Sequence, residues 1–467
     1  MVKQVTLGVK RLSRKLVVRQ MLWMLPRLSM NNILRIIDLG ERLLNREDYR
    51  EVAESMKQYI REGHPAVHLI ERVLHELSAE CRFRTIHNLF ILALLSETSF
   101  REELMETEGF RPPFFFVISP TMRCNLNCFG CYAGEYKQGF GLKTEVLDRI
   151  FTEALELGIH LITVSGGEPF IRKDLVDLFE KHPDIIFQVY TNGTLIDEKM
   201  AERLARMGNV APIISVEGFE ASTDARRGAG HFRHIMGTMD LLREKGVLFG
   251  ASVTQTRENY LEISGDAFAD LMVEKGVYII WNFQYIPIGR KPQLDLMLTP
   301  EQRNTVRDRL GRIRSTRPFF ICDFWNDGPY VDSCLAGGKE YFHINANGDV
   351  EPCVFVHFAV DNVHQKSLRQ ILNSPFFRGI RARQPFNTNP LTPCMIIDNP
   401  HELRDLVKTY GAHPTHPGAE TLLQDLAPEL DRYAETYHAI AEEVWEAEYA
   451  PKGFKRHGKP LEIKAAG

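Results

Sequence analysis

Apolar residues recur every three or four positions through residues 31–62 and again through 65–98. That period belongs to amphipathic helices and predicts a helical unit over residues 1–110. From about residue 113 the pattern changes. Short apolar, β-branched runs appear: FFFVIS (114–119), LITVSG (161–166), IIFQVYT (185–191), PIISVEG (212–218), LFGASVT (248–254) and VYIIWNFQYI (277–286). Helix-like stretches such as TEVLDRIFTEALELG and DEKMAERLARMG separate them. Six strands in this alternation predict an α/β fold with a parallel sheet and right-handed crossovers. Further on, NANGD between YFHI and VEPC predicts a β-hairpin. The run PELDRYAETYHAIAEEVWEAEYA reads as one amphipathic helix with an acidic exposed face, followed from Pro451 by a basic tail.

Composition changes this picture in two places. With 467 residues, 44% hydrophobic and 25% charged, the chain is ordinary for a soluble globular protein, and no apolar run is long enough to span a bilayer. Its net charge of −4 argues against nucleic acid as a partner. The charge is uneven, however. Residues 1–37 hold eight Lys and Arg and no acid, which leaves −12 on the rest. Leu12, Leu16, Trp23 and Leu25 lie among those basic residues. A basic amphipathic helix of this kind suits a membrane surface. It equally suits a helix packed on its own domain with snorkelling cations. The eight cysteines are clustered, and no signal peptide is legible, which predicts metal binding in a reducing compartment. The expected location is cytoplasmic, with peripheral contact to a membrane.

Chemistry concentrates at Cys124, Cys128 and Cys131, spaced C-x3-C-x2-C within MRCNLNCFGCYAGEY. Structural zinc sites want four ligands, usually in two pairs. A cubane iron–sulfur cluster held by three thiolates keeps one iron open. The triplet follows FFFVISPT and precedes TVSGGEPF by about thirty residues. At these residues the chain resembles the radical S-adenosylmethionine (SAM) superfamily. The resemblance implies a partial (β/α)6 TIM-like barrel with chemistry at the C-terminal ends of its strands. It implies a [4Fe–4S] cluster on the three cysteines, with SAM on the open iron and cleaved to a 5′-deoxyadenosyl radical. A one-electron donor of the reductase, flavodoxin or ferredoxin type would feed it. Where many members carry an aromatic residue before the third cysteine stands Gly130, with Phe129 and Tyr132 as neighbouring rings.

The same resemblance brings Gly166, Gly167, Glu168 and Pro169 to the methionine end of SAM. Asn192 and Ser215, at the ends of the third and fourth strands, are further candidates. Arg226 and Arg227 in ARRG read more readily as a solvated charge run. Behind the barrel, CLAGGKEYFHINANGDVEPC resembles the opening of a SPASM or twitch extension. That implies one auxiliary [4Fe–4S] cluster on Cys334, Cys353 and Cys394, with Cys322 as fourth ligand. Asp323, Asp327 and His357 are alternative fourth ligands, and a zinc site on the same four cysteines is the alternative metal. Cys81 reads as a buried thiol. The expected division is a helical domain at 1–110, a barrel at 111–300, an auxiliary-cluster domain at 301–400 and a C-terminal helix and tail at 401–467.

No catalytic side chain beyond the cofactor set is legible. The substrate expected first is a small molecule, lipid or isoprenoid at a membrane surface. That expectation rests on the basic N-terminus and on the aromatic runs WNFQYIPIGR (281–290) and FWNDGPY (324–330). A peptide- or protein-modifying maturase is the alternative. The all-helical N-terminal third, without a peptide-binding β-ribbon, argues for the former. A non-catalytic iron–sulfur or zinc protein is the third reading.

Overall fold

The six apolar runs form strands because each is short, β-branched and bounded by turn residues, and because helices cover the outer face. A computed structural model describes residues 34, 38, 47–96, 98–134 and 141–458. Its parallel strands are β1 (Phe115–Ile118), β2 (Leu161–Val164), β3 (Ile186–Thr191), β4 (Val210–Ser215), β5 (Gly250–Gln255), β6 (Ile279–Gln284) and β7 (Phe320–Asp323). They pair in sequence order. The first six match the sequence expectation. The seventh carries the sheet past residue 300, the expected barrel boundary, and sets Cys322 opposite Trp281.

The predicted hairpin is present as β8 (His343–Ile344) and β9 (Asp349–Glu351), turning at Gly348 with φ +87°. It does not form a separate layer. β8 pairs parallel to β1, with Val117 opposite His343, so the barrel sheet runs on into the hairpin. The C-terminal helix spans Ala427–Val444. It is tied to the barrel through Arg303, which is fully buried, ion-paired to Asp398 at 2.5 Å and 3.6 Å from the Tyr437 ring centroid. The edge and one face of a single guanidinium thereby hold three segments together.

Before β1 the described residues are helical: α1 (Glu47–Glu62), α2 (Pro65–His75), α3 (Ala79–Arg84), a π-helical stretch (Thr85–Ser96) and α4 (Thr98–Glu108). The helical stretch over 65–98 is interrupted at Ser78. Its hydroxyl caps α3 at the Cys81 N–H, and its own N–H donates to Gly246 O at 2.8 Å. A serine that bonds outside the helix in this way ends it. Cys81 is fully buried, as expected.

These helices dock on one end of the barrel. Arg72 donates to Val277 O and Pro318 O, Ser78 to Ala205 O, Asn88 to Pro183 O and Arg101 to Gly158 O. Every acceptor lies shortly before a strand begins. The helical unit therefore closes the N-terminal end of the barrel and leaves the C-terminal end for the site. No described helix is long and apolar enough to cross a membrane. The basic residues 1–28 on which the membrane reading rests lie outside the described residues.

Candidate active site

The cysteine loop follows β1 directly, so its position is set by the strand ends beneath it. Gly166 and Gly167 take that load. A Cβ on Gly167 would stand 2.1 Å from Arg123 O, and one on Gly166 would stand 2.3 Å from Thr121 O. The loop backbone lies on the glycines and bonds to them: Gly167 N–H donates to Thr121 O and Glu168 N–H to Arg123 O, at 2.9 and 2.8 Å. A close approach of two backbones is what a glycine pair permits. Replacing Gly167 with alanine is expected to push the loop out, cost about 1–3 kcal/mol and lower bound iron. Gly237→Ala is the control, since nothing lies within 4 Å of its Cβ position. Anaerobic iron analysis and thermal melts of both variants check the expectation.

Glu168 and Pro169 do not reach the cavity wall, although the sequence placed them with the SAM-binding residues. The Glu168 carboxylate is fully buried and accepts from Phe170 N–H, Thr191 Oγ1 and Asn192 N–H at 3.1, 2.9 and 2.8 Å. Burial pushes it above the ordinary carboxylate range. Its visible work is to join the ends of β2 and β3. Asn192 does face the cavity, and its Nδ2 donates to Asn125 Oδ1 at 2.8 Å on the cysteine loop. Ser215 and Tyr132 also line it.

Arg226 and Arg227 overturn the solvated-run expectation. Both side chains are largely buried and paired with the buried Glu217, at 2.8 and 2.5 Å. Burial alone would push Glu217 up, but the two guanidiniums outweigh it and hold it below the usual range. Arg226 also donates to Phe129 O and Gly130 O. From the other side Arg290 donates to Cys128 O and Gly134 O at 3.1 Å. Two cations thus clamp the loop that carries three thiols. Arg290 was missed in the sequence because it lies 159 residues beyond Cys131.

The cavity above these groups holds about 1290 Å³ of empty space, its mouth included. Cys124, Cys128 and Cys131 stand at one side. Aromatic rings make much of the rest, among them Tyr190, Trp281, Phe283, Phe324, Tyr341 and Phe355. The two aromatic runs picked out in the sequence do converge here, through Trp281, Phe283 and Phe324.

Behind Phe324 and Tyr341 lies a second, smaller cleft lined by Cys334, Cys353 and Cys394. Burial pushes each of these thiols up to about 12. A thiolate here needs a cation beside it, which a metal supplies. Backbone N–H groups already point at sulfur: Ile396 at Cys394, Phe355 at Cys353 and, in the first loop, Leu126 at Cys124, at 3.3, 3.5 and 3.5 Å. Such bonds suit iron–sulfur thiolates. Asp398 orients Cys394 by accepting its N–H at 2.9 Å. Among the described residues, no three His, Cys, Asp or Glu side chains are drawn together for a single metal ion. Three thiols on one side of each cavity, with backbone N–H groups on sulfur, suit iron–sulfur ligation.

The structure does not bring Cys322 to this set. It sits on β7 opposite Trp281, and the charged groups acting on it are Asp327, Arg314 and Asp323. Asp323 and Asp327 face a different, polar cleft with Arg314. His357 belongs to a buried network around Glu351, 3.8 Å from its carboxylate.

Comparison with known proteins agrees with this geometry. Residues 118–263 match the Radical SAM superfamily. That segment of the chain is a radical SAM domain. Residues 334–395 match SPASM, an iron–sulfur cluster-binding domain. The enzyme accordingly uses a [4Fe–4S] cluster, SAM and auxiliary iron–sulfur binding. It is 28% identical over 308 residues to an Fe-coproporphyrin III synthase of Methanosarcina barkeri, covering 58% of this chain and 76% of that one. It is 28% identical over 258 residues to a PqqA peptide cyclase of Granulibacter bethesdensis, covering 52% and 68%. The fold is shared with Streptococcus suis SuiB, solved with its precursor peptide SuiA. There the TM-score is 0.52 at 19% identity, over 63% of this chain and 73% of that one.

Proposed function

We propose that this radical SAM enzyme abstracts hydrogen from a side chain of a peptide or protein substrate held in the aromatic cavity. Cys124, Cys128 and Cys131 hold the catalytic cluster in this reading, and Cys334, Cys353 and Cys394 hold an auxiliary one. One observation carries it: Phe324 and Tyr341 line both the main cavity and the second cysteine cleft. A substrate in the cavity is then one side chain away from a second redox centre. When bound, the catalytic cluster supplies the electron that cleaves SAM to methionine and the 5′-deoxyadenosyl radical.

The chain's own residues do the remaining work. Gly166 and Gly167 seat the cysteine loop and border the SAM side of the cavity, and Asn192 and Ser215 offer polar contacts at the strand ends. Arg226 and Arg290 keep the cysteine loop in place through its carbonyls. The aromatic wall excludes water, which protects a reactive intermediate. The domain boundaries at about residues 110 and 400 are part of this reading, and the barrel's end, expected at 300, moves past β7 at Asp323.

The peptide substrate is supported by the similarity to a PqqA peptide cyclase and by the fold shared with a protein that binds a precursor peptide. A planar tetrapyrrole is the second reading, favoured by the aromatic lining and by the similarity to an Fe-coproporphyrin III synthase. One experiment separates them. The reconstituted enzyme, SAM and dithionite are offered a deuterium-labelled peptide library, Fe-coproporphyrin III or a polyprenol in anionic vesicles. Stimulated 5′-deoxyadenosine release with deuterium transferred from labelled peptide is the expected result. Stimulation by the tetrapyrrole or the polyprenol alone sinks the peptide reading.

A further inference from the structure

Tyr341 is a residue that neither the cysteine pattern nor the strand ends point to. It lies between Cys334 and β8, and its backbone is pinned by Tyr341 N–H to Leu335 O and Gly338 N–H to Tyr341 O, both at 2.9 Å. Its ring stacks on Phe115 of β1, with centroids 5.2 Å apart and planes 6° apart, and meets the edge of Phe324 at 5.7 Å. The side chain is 1% exposed. One part of it faces the main cavity and another faces the cysteine cleft. Its hydroxyl donates to Cys353 Sγ across 2.7 Å.

We infer that Tyr341 is a positioning residue that raises the reduction potential of the auxiliary cluster by donating its phenolic hydrogen bond to the Cys353 thiolate. The inference rests on the assignment of Cys334, Cys353 and Cys394 to that cluster. Its physics is general. Reduction adds negative charge to a cluster, and a donor aimed at a ligand sulfur stabilises the reduced form more than the oxidised one. The donor here is buried, so solvent does not compete for it. Because the same ring walls the main cavity, a substrate bound against it presses on the group that sets the potential.

Tyr341→Phe removes the hydroxyl and keeps the ring on Phe115 and Phe324. Anaerobically reconstituted wild type and variant are analysed for iron and sulfide, then titrated potentiometrically with detection by electron paramagnetic resonance. Both proteins are expected to hold about eight irons. One of the two signals is expected to move to lower potential in the variant. The loss of one charge-assisted bond lowers the reduction constant about tenfold, or about 59 mV for one electron. The other signal stays in place. Unmoved potentials with about eight irons would overturn the role of Tyr341 alone. Loss of irons in the variant only, or of a phenolate-to-iron absorption band, would make Tyr341 a ligand and overturn it too. About four irons in the wild type would remove the auxiliary cluster, and the inference with it.

Discussion

Cys128→Ala is expected to abolish 5′-deoxyadenosine release and to lower bound iron from about eight to about four per chain. Cys353→Ala is expected to lose the same amount of iron while SAM cleavage persists. The asymmetry follows from where the thiols stand. Cys128 lies on the loop at the ends of β1 and β2, beside the glycines that support it. Cys353 lies in the cleft behind Phe324 and Tyr341. Removing a thiolate from a set of three leaves two protein ligands, too few to retain a cubane against chelators. Removing it from the other set does not touch the SAM side. Product formation should fail in both variants, whereas uncoupled 5′-deoxyadenosine should survive only in the second. The check is iron and sulfide analysis with chromatographic quantification of 5′-deoxyadenosine under dithionite. Equal loss of SAM cleavage in both variants would mean that the two sites are not separable in this way.

Much of this arrangement was legible in the chain. A cysteine triplet and a glycine pair act through adjacent backbone, so their spacing survives in the sequence, and six strands carry the apolar runs of a buried parallel sheet. The features that escaped depend on partners far along the chain. β7 reads FICD, with an exposed Phe320 and two polar or thiol positions in four, so no apolar run marks it. Arg226 and Arg227 look like surface charge until Glu217 and the Phe129 carbonyl are folded against them. Glu168 sits in a motif whose resemblance points it at the cofactor, yet three donors turn it inward. Cys322 is close in sequence to the second thiol group but is carried into the barrel by strand pairing. Local spacing reports turns and close approaches. It does not report which of several buried side chains share a cleft.

The hairpin that leads to Cys353 is held to the barrel by a buried charge, and His343→Ala is expected to cost about 3–5 kcal/mol of stability. His343 is fully buried on β8, with Nε2 2.8 Å from Ser119 Oγ at the end of β1 and Nδ1 2.6 Å from Glu351 on β9. The other Glu351 oxygen accepts from Asn345 Nδ2 at 3.0 Å and from Thr415 Oγ1. Burial alone would push the Glu351 carboxyl up. His343, and after it His357, outweigh burial and hold it well below the usual range. A depressed carboxyl contributes stability that is present above its unfolded value, near 4.5, and is lost as pH falls below it. Without His343 the carboxylate stays buried with less to offset its charge, so the penalty is greatest at neutral pH. The gap between wild type and His343→Ala should therefore narrow as pH falls through 4.5, because protonation relieves the variant while it weakens the wild type. The double variant His343→Ala, Glu351→Gln should recover part of the loss at pH 7, since it removes the buried charge that His343 helps to offset. Anaerobic thermal melts from pH 7.5 to 4 measure all three. A gap that stays constant with pH would mean that His343 contributes packing alone, and that its contact with Glu351 does not hold Cys353 in register with the barrel.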